Sequence, residues 1–231
     1  MHGVMLVIEV SCVTLAWVRY FLHFKVSERE KLFSSGQSEL ENRRANLKTW
    51  LEQSRVIPSV RLAENLALAC ASPAKLVFLL FGSPLTAAAL ANQISDAGKV
   101  PIANLDLLSG FARDTAAIEF LARVGVAGVI STHQDALRAA RANGLLAFQR
   151  TFALDSVAIA NSIRTLERFE PDVIELLPAV AAPSVIPLLR AVQPKLPAIG
   201  CGLVRSLMQI DELVRLGVAA ISVSDPSLWI V

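Results

Sequence analysis

From residue 55 onward, short apolar runs alternate with segments whose apolar positions recur at helical spacing. Residues 128–156 show the repeating unit: an apolar run at 128–130, an amphipathic segment closed by Gly144, and a second apolar run at 145–148. This order of strand, helix and strand is one βαβ unit. Polar residues follow both runs, and ligands of parallel α/β folds bind where the strands end.

The same alternation predicts eight strands with seven helices between them. The predicted strands are 56–60, 75–81, 100–105, 128–131, 145–150, 173–177, 196–199 and 219–224. The predicted helices are 62–71, 85–97, 114–124, a segment between 131 and 144, 157–168, 183–192 and 207–215. No hairpin signal separates the strands, and their nearly equal spacing favours closure. The pattern therefore predicts an α/β fold, a compact (β/α)8 barrel over residues 55–231, with a doubly wound open sheet as the alternative.

Residues 1–54 are predicted to be an N-terminal extension outside the barrel. Residues 3–24 are strongly apolar, but Glu9 interrupts the run and Arg19 ends it. A membrane span needs roughly 20 apolar residues with few charges, so an extra helix is favoured over a membrane anchor. Residues 38–54 predict an amphipathic helix. Its apolar face carries Leu40, Leu47, Trp50 and Leu51. Its basic cluster consists of Arg43, Arg44 and Lys48, which could contact RNA or form a solvent-exposed face.

Composition and charge narrow the class of protein. Charged residues make up 18% of the 231, which excludes a disordered chain. Of the 22 Lys/Arg and 20 Asp/Glu residues, eight and six lie in residues 1–60, which leaves 14 of each sign in the main body. That balance gives little support for nucleic-acid binding by charge alone. The three widely spaced cysteines favour a reducing, cytoplasmic location.

No cofactor or metal motif is present in the sequence. The three histidines have no ligand spacing, and neither a phosphate-binding loop nor a dinucleotide fingerprint occurs. We therefore expect no metal, no cofactor and no catalytic residue set.

Polar residues and one glycine at the predicted strand ends define a candidate site at one rim of the barrel. These candidates are Arg61, Asn104, Asp106, Thr132, His133, Arg150, Asp155, Glu175, Gly202, Arg205 and Ser224. The loops after strands seven and eight often bind phosphate in this fold, although Gly202 is equally explained by a tight turn. Asp106, Glu175 and Arg150 suit a polyol phosphate, acid–base catalysis, or an internal ion-pair network.

Motifs distributed in order over about 175 residues carry a resemblance to a known family. They are Ile57-Pro58-Ser59-Val60-Arg61, Leu105-Asp106-Leu107-Leu108-Ser109-Gly110, Gly128-Val129-Ile130-Ser131-Thr132, Phe148-Gln149-Arg150 with Phe152 and Leu154-Asp155-Ser156, Pro171-Asp172-Val173-Ile174-Glu175 with Leu177-Pro178, Gly202-Leu203, and Ser224 with Leu228-Trp229. Residues 55–231 resemble the glycerol-3-phosphate-responsive antiterminators of the glycerol-uptake operon. The resemblance implies a barrel that binds glycerol 3-phosphate and acts on a leader mRNA to prevent transcription termination, without catalysis.

Several rim positions depart from the pattern of that family. Asn104 stands where the family usually has histidine, His133 where a basic residue usually follows Ser-Thr, Cys201 where it has glycine and Val223 where it has threonine. The retained residues still imply a small ligand that carries a phosphate, either glycerol 3-phosphate or a related metabolite.

The resulting hypothesis gives each group a role. The phosphate lies against Gly202, Arg205 and Ser224, and Asp106 and Glu175 accept hydrogen bonds from hydroxyls of the ligand. Arg150 pairs with the phosphate or orders the carboxylates. The expected partners are this ligand and leader mRNA, with no DNA and no membrane, and a homo-oligomer is left open.

Two other functions remain as alternatives. One is a phosphosugar-type lyase, isomerase or aldolase with Asp106 or Glu175 as the acid or base. The other is a barrel that docks to another protein through residues 1–54.

Overall fold

The computed structural model describes residues 36–229. It contains eight strands: β1 Val56–Val60, β2 Leu76–Leu79, β3 Val100–Asn104, β4 Gly128–Ser131, β5 Leu146–Phe152, β6 Val173–Leu177, β7 Ala198–Cys201 and β8 Ala220–Val223. Helix α1 spans 36–53. The other helices are α2 Leu66–Ala71, α3 Ala87–Asp96, α4 Thr115–Arg123, α5 Gln134–Ala142, α6 Ser156–Leu166, α7 Ala182–Val192 and α8 Leu207–Arg215.

All eight strands pair in parallel in their order along the chain, and β1 pairs with β8 to close the barrel. The predicted (β/α)8 barrel is therefore confirmed, and the open-sheet alternative is wrong. Strands β1, β4 and β6 begin and end where the sequence predicted. Strand β7 lies two residues later than predicted, because its pairing with β6 and β8 carries the ladder through Cys201, which pairs with Ser222.

Side chains alternate between the barrel interior and the layer under the helices, as the two-residue period of a strand requires. Ile57, Phe78, Ile102, Phe148 and Ile199 belong to one buried apolar cluster inside the barrel. The register continues this inward set towards the carboxyl ends of the strands through Ser59, Asn104, Arg150, Glu175, Cys201 and Ser222. The interior is thus apolar at its lower levels and polar at the upper rim.

Helix α1 closes the opposite, N-terminal end of the barrel. The predicted amphipathic helix is present, and Leu40, Leu47 and Leu51 are buried in the interior cluster, with Trp50 packed beside them. The Arg43 guanidinium donates to the carbonyl of Gly144 at 2.9 Å. This part of the extension therefore packs onto the barrel, whereas the division of the chain at residue 54 stays a prediction.

The predictions made for residues 1–35 lie outside the described residues, including the choice between an extra helix and a membrane anchor for the apolar segment 3–24. Among residues 36–229, no helix combines the length and apolar character that a membrane crossing requires.

Candidate functional site at the carboxyl ends of the strands

An ion pair between neighbouring strands lies at the centre of the polar rim. Arg150 on β5 and Glu175 on β6 are register partners, and the Arg150 Nε donates to Glu175 Oε2 at 2.7 Å. Ser222 on β8 donates its hydroxyl to the other carboxylate oxygen, Oε1, at 3.0 Å. Glu175 is completely buried. This is the internal ion-pair network that the sequence offered as one explanation of these charges.

Arg150 remains charged and only partly engaged. Burial alone would lower the pKa of its guanidinium, but the adjacent Glu175 carboxylate outweighs burial and raises that pKa. Within residues 36–229, only Nε has a hydrogen-bond partner, and the two terminal nitrogens have none. The guanidinium fork is thus oriented by Glu175 while its outer donors are available for an anion.

Cys201 lies beside this pair as a buried thiol. Its burial raises the pKa of the thiol strongly, and the negative charge of Glu175 raises it further, while the positive charges of Arg150 and Arg61 act against both. A thiol with a raised pKa carries little thiolate, which is the nucleophilic form. Cys201 is therefore not an activated nucleophile.

Asp106, in the loop after β3, has no free acceptor site. Its Oδ1 accepts from the Ser131 hydroxyl at 2.8 Å and from the Arg113 guanidinium at 3.2 Å. Its Oδ2 accepts from the Thr132 backbone N–H at 2.7 Å and from the Thr132 hydroxyl at 2.9 Å. A carboxylate offers about four acceptor positions, and all four are occupied by protein donors.

These bonds also set the charge state of Asp106. Burial alone would raise the pKa of the carboxyl, but the Thr132 N–H and the hydroxyls of Ser131 and Thr132 outweigh it, so the net effect lowers the pKa. His133 lies on the same cluster, with its Nδ1 at 3.0 Å from the Thr132 hydroxyl and 3.5 Å from Asp106. The structure thus joins three predicted ligand residues into one hydrogen-bonded cluster that ties the β3 and β4 loops together.

Two inward-facing polar side chains below the rim lack partners. The amide of Asn104 and the hydroxyl of Ser59 are buried and have no hydrogen-bond partner among the described residues. Buried polar groups are normally paired because an unmet donor or acceptor costs about 1–3 kcal/mol. Ser59 on β1 and Asn104 on β3 therefore carry donors and acceptors just below the rim that no described protein group satisfies.

The loops after β7 and β8 carry the predicted phosphate residues. Gly202 and Leu203 both adopt positive φ, +77° and +60°, so the chain reverses sharply before Ser206 begins α8. The Arg205 and Ser224 side chains are exposed, as is Arg61 after β1. Leu203 is a non-glycine residue in the left-handed region. This backbone conformation costs free energy, and residues that adopt it are common in ligand-binding loops.

Asp155 takes a different place from the other predicted residues. It is the N-cap of α6, where its carboxylate accepts from the Ala158 N–H at 2.7 Å. Sequence reasoning overlooked Arg113, because nothing in the local pattern shows that the loop before α4 folds back onto Asp106. Among residues 36–229, no group of His, Cys, Asp and Glu side chains has the arrangement of a metal site.

The comparison with protein families decides which proteins this chain is related to. The family model described as "Glycerol-3-phosphate responsive antiterminator" matches residues 56–229. The chain belongs to this family. The match covers β1 to the loop after β8 and therefore the whole rim.

Individual relatives agree with the family assignment. An uncharacterised Escherichia coli K12 protein, YgcP, is 32% identical over 180 residues, which are 78% of this chain and 93% of that protein. The crystal structure of a glycerol uptake operon antiterminator regulatory protein from Listeria monocytogenes superposes with a TM-score of 0.71 at 28% identity, over 77% of this chain and 95% of that one. A glycerol uptake operon antiterminator-related protein from Thermotoga maritima gives 0.69 at 29% identity, over 76% and 98%.

Enzymes with the same barrel are more distant. A deoxyribose phosphate aldolase from Aeropyrum pernix gives a TM-score of 0.58 at 11% identity, over 84% of this chain and 94% of the aldolase. A likeness at this identity shows a shared fold and carries no information on chemistry.

Proposed function

We propose that the chain is a ligand-sensing antiterminator that binds glycerol 3-phosphate, or a closely related phosphorylated metabolite, at the carboxyl ends of its strands and acts on a leader mRNA. Family membership and the relation to two glycerol uptake operon proteins support the regulatory role. In this proposal the protein works where transcripts are made, in the cytoplasm.

The guanidinium of Arg150 supports the ligand assignment, because Glu175 orients it while its two terminal nitrogens have no partner within residues 36–229. An arginine whose Nε is fixed by a buried carboxylate presents its outer donors in a planar fork, and such a fork matches two oxygens of a phosphate. Because Glu175 already balances one charge, binding of a dianionic phosphate needs further donors. In this proposal Arg205, the Ser224 hydroxyl and the Gly202 turn supply them from the loops after β7 and β8.

The roles of the two carboxylates differ from the initial hypothesis. Asp106 has all four acceptor positions filled and Glu175 is fully buried, so we assign both to positioning: Glu175 holds Arg150, and Asp106 holds Thr132 and the β4 loop. The ligand hydroxyls are assigned to the unpaired amide of Asn104 and hydroxyl of Ser59. Since these atoms are buried, we propose that the rim loops open to admit the ligand.

That rearrangement is the proposed link to regulation. A ligand shifts a conformational equilibrium only as far as it binds one state better than the other. Here the state with an opened rim would gain the hydrogen bonds of Asn104 and the phosphate contacts of Arg150. The change in the loops would then alter the affinity of the protein for RNA.

The electrostatics do not favour the alternative of a phosphosugar enzyme. A general base needs an accessible group whose pKa lies near the working pH, whereas the pKa of Asp106 is lowered and Glu175 has no exposed surface. Schiff-base chemistry needs a lysine at the rim. The lysines next to barrel strands in the described region, Lys75, Lys99 and Lys195, precede β2, β3 and β7 and so lie at the other end.

Calorimetric titration of glycerol 3-phosphate into wild-type protein and Arg150→Met tests the assignment. Loss of a charge-assisted hydrogen bond costs about 1.5–3 kcal/mol, so we expect affinity to fall by about 10- to 150-fold. Arg138→Met, on the exposed face of α5, is the matched control and should bind as wild type. Full affinity in Arg150→Met would remove its central role.

Arg150→Met risks misfolding because it leaves the buried Glu175 carboxylate without its partner. A second variant therefore tests the assignment without that unpaired charge. Arg150→Met combined with Glu175→Gln removes both charges and keeps an acceptor for Ser222. It should fold and still bind weakly. If it bound with wild-type affinity, the phosphate assignment would be wrong.

A further inference from the structure

A groove lies at the N-terminal end of the barrel, opposite the candidate ligand site. Its volume is about 430 Å³, and it lies between α1, the C-terminal end of α5 and the loops that precede β6 and β7. Its charged lining residues are Arg44, Lys48, Arg141, Glu170, Asp172 and Lys195. Four positive and two negative side chains give it a net positive charge, although the main body of the chain is neutral.

The two arginines and Asp172 of this N-terminal groove are held by one another and by the backbone, whereas the exposed carboxylate of Glu170 has no partner within residues 36–229. Arg44 Nε donates to Asp172 Oδ1 at 2.5 Å, and Asp172 Oδ2 accepts from the Ala147 N–H at 2.8 Å. Arg141 donates to the backbone carbonyl of Glu170. Asp172 is therefore committed to structure, and the arginines are fixed in position as half-buried cations.

The two lysines, by contrast, are exposed and little engaged. Among the described residues, the one ion-pair partner of Lys48 is Glu52, at 3.7 Å, and 82% of the Lys48 side chain is exposed. Lys195 has no ion-pair or hydrogen-bond partner within residues 36–229 and is also exposed. Fixed arginines in the groove and exposed ammonium groups beside them are the positive charges that follow the phosphate backbone of a single strand, although none of the described lining residues is an aromatic that could stack on bases. A small enclosed anion would instead need convergent buried donors.

We propose that this N-terminal groove binds the sugar–phosphate backbone of single-stranded RNA, with Lys48 and Lys195 as the principal phosphate contacts. The inference rests on the proposed function, because it assumes that the protein acts on RNA. It adds the location: RNA and the phosphorylated ligand bind at opposite ends of one barrel. Each Lys–phosphate contact releases counterions, so binding should weaken with salt.

Fluorescence anisotropy of a labelled oligouridine of about 12 nucleotides with the full-length chain, over about 50–300 mM salt, tests the groove. Each lost contact reduces the slope of log K against log salt by about 0.7 for single strands. Lys48→Ala/Lys195→Ala should therefore reduce the slope by about 1.4, so that its loss of affinity relative to wild type is about tenfold greater at about 50 mM than at about 300 mM salt. Both side chains are exposed, so the variant should fold, which circular dichroism would verify.

The matched control is Arg123→Ala/Arg215→Ala, which removes the same charge from exposed positions on α4 and α8 and should leave the slope unchanged. If wild type bound RNA and the lysine variant bound it equally well, the assignment of RNA to this groove would be wrong, and the proposed function would stand. If wild type bound no RNA with or without glycerol 3-phosphate, both would fail. Tight binding of inorganic pyrophosphate that the lysine variant loses, with RNA binding intact, would show a small-anion site instead.

Discussion

Asp106 illustrates how the environment of one side chain decides its role. The sequence offers it as an acceptor for a ligand hydroxyl, because it follows a strand end. In the folded protein it accepts four hydrogen bonds from Ser131, Thr132 and Arg113. Its carboxylate is consequently stabilised as an anion, and the stability of the β3–β4 rim depends on that charge.

This dependence predicts a pH effect. The folded pKa of Asp106 is lowered from about 3.8, so its contribution to stability is fully present above that value and is lost as pH falls through the folded pKa. Asp106→Asn should be less stable than wild type at neutral pH, and the gap should narrow below about pH 4. Urea unfolding between about pH 2 and 6 measures it. A gap that stays constant over this range would contradict the pKa shift.

Replacing Asn104 should affect stability in the opposite direction to replacing Asp106. Its buried amide has no partner within the described residues, so replacing it with an apolar side chain of similar shape removes an unmet desolvation cost. Asn104→Leu should leave the free energy of unfolding unchanged or raise it by about 1 kcal/mol, while it weakens glycerol 3-phosphate binding.

Ser222→Ala provides the contrast for Asn104→Leu. The Ser222 hydroxyl is bonded to Glu175, so its loss should lower the free energy of unfolding by about 1–3 kcal/mol. Thermal and urea unfolding with and without ligand separate the two effects. A destabilised Asn104→Leu with normal ligand affinity would show that the amide is structural.

At the scale of elements, helix α1 connects the N-terminal extension to the barrel. Its apolar face was predictable from helical spacing, but its attachment was not. The ion pair Arg44–Asp172 and the Arg43 bond to Gly144 join residues about 100 or more positions apart. A single sequence carries no local signal for such pairs, which is why a basic cluster on α1 suited either solvent or RNA.

The burial of α1 predicts that the extension contributes to stability. Leu47 is 4% exposed and packs into the interior cluster, so Leu47→Ala should lower the free energy of unfolding by about 2–4 kcal/mol. Thr49→Ala, on the exposed side of the same helix, should change it by less than about 0.5 kcal/mol. Equal effects of the two substitutions in urea unfolding would mean that α1 does not seal the barrel.

For the whole molecule, the alternation of apolar runs and helical segments predicted the α/β class, and the nearly equal spacing of the strands favoured the closed barrel over an open sheet. A strand buried on both faces reads as a continuous apolar run, as Val77 and Phe78 on β2 do. The site was harder to predict, because strand ends locate side chains but do not reveal their partners. Arg150 and Glu175 could be paired in advance since their strands are neighbours, whereas Arg113 reaches Asp106 from a loop of unpredictable path.

We propose that this barrel binds glycerol 3-phosphate or a closely related phosphorylated metabolite. Thermal unfolding of the full-length chain with millimolar glycerol 3-phosphate, with glycerol and inorganic phosphate as separate controls, tests it most directly. A ligand at about 100 times its dissociation constant adds about 2.7 kcal/mol, which for a chain of this length should raise the midpoint by about 5–10 °C. We expect this rise with glycerol 3-phosphate and with neither control. An unchanged midpoint with glycerol 3-phosphate and with a panel of related phosphorylated metabolites would contradict it.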